Sequence, residues 1–145
     1  KPGIPFRDVH MIAVTEICKG MKELGLLKGD PAEAARIGAY ALFMPCGLGH
    51  MMGLDVHDME NLGEVYVGYD GQPKSTQFGF KSLRLARPLE PGFVFTVEPG
   101  IYFIPELIDI CTPTSSATTS WMPGKTSVAY VMRRITSSLP MVPAD

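Results

Sequence analysis

The charge pattern of this chain breaks once, near Ile110, and the break limits which part can fold. Residues 1–109 hold 14 acids and 10 bases, whereas residues 110–145 hold one acid, Asp145, and three bases. The C-terminal segment also carries 12 Ser or Thr and four Pro. Helix and strand patterns are clear before the break and sparse after it. We read a folded unit over 1–109 and an aberrant Ser/Thr-rich tail over 110–145, expected to be disordered.

The rest of the composition excludes several classes. Of 145 residues, 46% are hydrophobic and 19% charged, which fits a globular protein and neither a disordered nor a collagen-like chain. A net charge of −2 provides no basic footprint for nucleic acid. No apolar run approaches the roughly 18 residues that a membrane span needs. The opening Lys1-Pro2-Gly3-Ile4-Pro5 has no signal-peptide core and no initiator Met, and reads as a cut inside a longer chain. Three cysteines (Cys18, Cys46, Cys111) lack CxxC spacing and point to a reducing, cytoplasmic setting.

Periodicity predicts a helix over Pro5–Leu27, with Val9, Ala13, Ile17, Met21 and Leu24 on one apolar face. A second helix is predicted over Pro31–Phe43, with Asp30 as cap and Pro31 in the first turn. Residues 60–82 read as a loop with a hairpin at Asp70-Gly71. Phe93–Val97 reads as a strand, broken at Pro99-Gly100 and resumed over Ile101–Ile104. Helices followed by strands define an α+β class.

Two features carry chemistry. His50 and His57 lie in Cys46-Gly-Leu-Gly-His50-Met-Met-Gly-Leu-Asp55-Val-His57-Asp58, where Gly47, Gly49 and Gly53 clear space around His50. Neutral imidazoles bind metals and carry protons, although a Gly-rich turn with two ordinary polar residues accounts for the same run. Glu98 sits in the most apolar stretch, Phe93–Phe103. If buried it needs a cation, a metal or a proton; a Glu at a strand end facing water is the other reading. Taken together, His50, His57 and Glu98 favour a divalent metal. His10 lies one residue off the apolar stripe of the first helix and reads as a surface or boundary residue.

These stretches resemble a family. The run from Phe43 to Asp58 closely resembles the signature of the Xaa-Pro metallopeptidases, which include prolidase and the proline-specific aminopeptidase. Leu83–Gly92 followed by Thr96–Phe103 is similar to the next motif block, in the same order. The resemblance covers residues 1–109. It implies a partial pita-bread (creatinase/aminopeptidase) fold, a curved antiparallel sheet backed by helices. It also implies two divalent metal ions, Mn2+ first and Co2+ or Zn2+ after it, held in the family by two Asp, one His and two Glu. His50 matches the His ligand and Glu98 the first Glu. His57 matches the imidazole that contacts substrate and steadies the tetrahedral intermediate. Arg84 stands where prolidases hold the substrate's C-terminal carboxylate. A dipeptide or peptide containing proline is the implied substrate, and a homodimer the implied assembly.

The chain departs from the family pattern in three places. The two Asp ligands fall upstream of Lys1. Cys46 replaces the usual substrate-binding His; a thiol cannot imitate an imidazolium donor and is a soft ligand that recruits zinc. The last Glu ligand should follow in a Gly-Gly-x-Arg-x-Glu strand, yet no Glu follows Glu106. Codons for Gly124–Val142, read two bases later, permit a string containing Gly-Gly-Val-Arg-Asn-Glu. A one-base shift near Asp109 therefore explains the tail; a natural basic tail is the alternative. The implied function is a fragment of a dinuclear Xaa-Pro dipeptidase or aminopeptidase, inactive by itself. The rival is a non-catalytic peptide- or protein-binding module.

Overall fold

A computed structural model describes residues 1–107. The readings of 110–145, as a tail or as out-of-frame translation, lie outside the described residues.

Helix α1 spans Phe6–Glu23, with Asp8 in its first turn and Lys22 in its last, both favourable to the helix dipole. It stops short of Leu27 because the Leu26 and Leu27 amides both bond back to the Met21 carbonyl. Helix α2 spans Pro31–Arg36, and Asp30 caps it by accepting from the Glu33 amide at 2.8 Å. The predicted continuation to Phe43 is broken at Gly38, whose φ of +84° is open to glycine and costly for most residues. A 3₁₀ turn, Ala39–Leu42, follows. Helix α3, Glu64–Tyr69, lies within the predicted loop, and a second 3₁₀ turn covers Phe80–Ser82. Asp70, at φ 55°, ends α3 where a hairpin turn was expected. Tertiary bonds override the β preference of Val65, Tyr66 and Val67: Tyr69 Oη donates to the Leu83 carbonyl at 2.5 Å, and the Gly68 carbonyl accepts from Ala86 and Arg87.

The α+β expectation is overturned. Among the described residues no strand forms, so the curved antiparallel sheet of the pita-bread (creatinase/aminopeptidase) fold is absent; the regular elements are helical. Only two isolated antiparallel bridges occur, Pro5 with Pro88 and Met51 with Phe95. The cause is local. Segments 48–52 and 94–98 run antiparallel, with Met52 N–H on Val94 O, Thr96 N–H on His50 O and Glu98 N–H on Leu48 O. One bond that would extend the pairing is missing: His50 N–H donates to the Thr96 hydroxyl, at 3.1 Å, not to the Thr96 carbonyl. That side chain competes with the ladder, and an isolated two-stranded ribbon is marginal in any case. The 101–104 stretch likewise forms no strand; Tyr102 N–H is tied to the Phe43 carbonyl at 2.7 Å.

The core lies between α1, α2 and the two 3₁₀ turns, and holds Phe6, Val14, Cys18, Met21, Tyr40, Phe43, Met44, Phe80 and Leu83. The buried face of α1 is Phe6, His10, Val14, Cys18 and Met21. It is offset by one residue from the predicted stripe: Met21 belongs to both, Val9, Ala13 and Ile17 pack half-buried against the core, and Leu24 is exposed. His10 is therefore central to the core, not a boundary residue, with 0% exposure. Its Nε2 lies 2.9 Å from Tyr40 Oη, and Tyr40 and Phe80 pack edge-on against its ring. Burial lowers its pKa to about 4 and raises the Tyr40 phenol above its usual range. No helix among the described residues is long and apolar enough to cross a membrane.

Candidate functional site

A cleft of about 580 Å³ opens beside the 48–52 and 94–98 segments. Its lining includes Cys46, His50, His57, Arg84 and Glu98, which are scattered over more than fifty positions in sequence. Close backbone approach makes this convergence possible. A Cβ on Gly49 would collide with the Thr96 carbonyl, so glycine lets the His50 segment reach the segment that carries Glu98.

His50 is nearly buried, and its two ring nitrogens have different surroundings. Nδ1 lies 3.0 Å from the Met51 carbonyl, and Nε2 lies 3.1 Å from Glu98 Oε1. A carbonyl only accepts, so Nδ1 carries the proton and donates. In the neutral ring, Nε2 then presents a lone pair to a carboxylate. Two acceptors face each other across 3.1 Å, and a proton or a metal between them resolves the conflict. Donation of the far ring N–H to a carbonyl is the usual outer support of a metal-binding histidine. The His50–Glu98 pair therefore fits one edge of a metal site. Glu98 itself is 58% exposed on its side chain, so the burial considered for it is not found. Among the described residues no group of three or more His, Cys, Asp or Glu converges to complete a metal cage.

His57 stands against His50 edge to face, with ring centroids 4.3 Å apart. Its Nδ1 lies 2.8 Å from Glu60 Oε2. Arg84 Nη2 donates to the other oxygen of Glu60, and Arg84 Nη1 donates to Glu64 Oε2 at 3.1 Å. Lys74 Nζ completes the chain on Glu64 Oε1 at 2.7 Å. The hydrogen bonds from His57 first, and then Arg84, hold the Glu60 carboxyl below the usual carboxylate range. Cys46 is an exposed free thiol at the cleft wall.

The sequence reading missed Glu60, Glu64 and Lys74. The signal available to it was the cluster of two acids near His57 in a stretch taken for an ordinary loop. A turn at Met59, with φ 55°, folds Glu60 back onto His57, and nothing in the local composition marks that turn.

His50, His57 and Glu98 meet at one cleft, with His50 braced by the Met51 carbonyl. The chain belongs to metallopeptidase family M24: the model of that family matches residues 1–130. It is 44% identical over 109 residues to the Xaa-Pro dipeptidase of Rattus norvegicus and 41% identical over the same length to that of Homo sapiens, in each case 75% of this chain and 21% of the relative. A probable Xaa-Pro aminopeptidase of Aspergillus niger is 39% identical over 104 residues, 71% of this chain and 21% of that protein. The chain thus spans about a fifth of the length of the curated relatives it matches.

Proposed function

We propose that residues 1–109 are part of the catalytic domain of a cytoplasmic Xaa-Pro dipeptidase or aminopeptidase that cleaves the bond before proline. The observation that carries this reading is the His50–Glu98 pair, in which Nε2 and a carboxylate oxygen stand 3.1 Å apart beside His57.

His50 and Glu98 would hold a divalent metal, with Mn2+ first and Co2+ or Zn2+ as alternatives, and the remaining ligands of a metal pair would come from elsewhere in the full-length protein. When bound, the pair supplies Lewis acidity and an activated water as nucleophile. The Met51 carbonyl keeps the His50 proton on Nδ1 and so keeps Nε2 free. His57 lies within ring contact of His50; with Glu60 on its Nδ1, its ring when protonated on both nitrogens would donate from Nε2 to negative charge on the scissile carbonyl oxygen. Arg84 offers a guanidinium to a substrate carboxylate, which inclines the reading toward dipeptides. Cys46, standing in place of a second imidazole, weakens that end of the site. Two donors hold a metal pair poorly, so the 145-residue chain alone is expected to be inactive, with 110–145 an aberrant tail.

The test is manganese-dependent release of proline from Gly-Pro by this chain with its N-terminal half restored. Activity that vanishes in Glu98→Gln supports the peptidase. Peptide binding that ignores metal, without hydrolysis, favours the non-catalytic binding module.

A further inference from the structure

We propose that Glu60 is the positioning residue of this cleft: one carboxylate that fixes the ring of His57 and the guanidinium of Arg84 relative to each other. The proposal rests on the reading above only in taking those two side chains to face substrate.

The geometry is specific. Glu60 Oε2 takes the His57 Nδ1 contact at 2.8 Å while Oε1 accepts from Arg84 Nη2. Each oxygen thus serves one partner, and the two partners lie 27 positions apart in sequence. A carboxylate at Nδ1 accepts only, so it holds the proton there and leaves Nε2 for the cleft. Glu64 secures the other terminal nitrogen of Arg84 and is itself held by Lys74, so Arg84 cannot turn away without breaking two ion pairs. The left-handed turn at Met59, uncommon for a residue other than glycine, is what brings Glu60 back over His57. The polar partners of Glu64 are Lys74 and Arg84 and that of His57 is Glu60, so the polar coupling runs through Glu60.

Imidazole 15N NMR of the 145-residue chain tests this without any turnover. In its neutral form the His57 ring should be mainly the Nδ1–H tautomer. In Glu60→Leu it should change to the Nε2–H form favoured by a free imidazole, and the Arg84 side-chain resonance should move with it. Glu64→Gln should move Arg84 and leave His57 unchanged. If Glu60→Leu fails to fold, Glu60→Asp, with a shorter carboxylate, should give an intermediate population. An unchanged His57 ring in either Glu60 variant, or an equal change in Glu64→Gln, overturns the proposal. Such a failure would leave the peptidase reading standing, because that reading is judged by Gly-Pro hydrolysis.

Discussion

His10 is a polar ring with no solvent-exposed surface, and its protonation opposes the fold. Burial sets its folded pKa at about 4, while the unfolded chain holds it near 6.5. The unfolded state therefore binds the proton more tightly. His10 contributes its full stability above pH 6.5, and that contribution is lost as pH falls toward 4. Between pH 7 and pH 5 the loss should approach about 2 kcal/mol, read as a shift in urea midpoint, and His10→Leu should remove most of it. Nδ1 of the ring has no partner, so leucine also removes an unsatisfied polar atom. His50 and Glu98 make a second prediction. Glu98→Gln replaces an acceptor with an amide that can donate to Nε2. Divalent-metal shifts at His50 should then weaken by more than the roughly tenfold that loss of an outer partner costs.

Helices and turns were legible in proportion to how local their causes are. The Asp30–Pro31 start of α2 follows from one side chain and one ring, and it forms as read. Asp30→Ala should cost about 1 kcal/mol in thermal or urea unfolding. The break after Arg36 depends on a distant strand of backbone: at Gly38 a Cβ would meet the Phe78 carbonyl. No window around residue 38 contains Phe78, so periodicity ran through to Phe43. Gly38→Ala should therefore destabilise by more than the gain of about 0.4–1 kcal/mol that such a change gives at an unstrained site. The centre of the buried face of α1 is offset from the predicted stripe for a related reason. His10 was counted as polar, whereas Tyr40 Oη, thirty residues on, gives its ring a partner and lets it enter the core.

For the whole molecule, His50, His57 and Glu98 follow from residue chemistry and Cys46 and Arg84 from the family resemblance, and all five line the cleft. The sheet expected around them does not form, because pairing depends on partners and on one hydroxyl that composition does not reveal. The same region leaves Val94, Val97, Ile101, Tyr102 and Phe103 exposed. Exposed apolar side chains concentrated along one stretch of chain favour association. Sedimentation should show mass rising with concentration, and replacing Val97 and Ile101 by Ser should reduce that rise. The antiparallel alignment of 48–52 with 94–98 has a genetic corollary. Its backbone bonds join residues two apart on each segment, so inserting a single residue between Gly92 and Thr96 would slide Val97 into the place of Glu98 and turn every side chain there to the opposite face. A codon gained at that point would take Glu98 away from His50 while leaving every letter of the cleft's residues in the text, whereas surface loops elsewhere absorb extra codons at small cost.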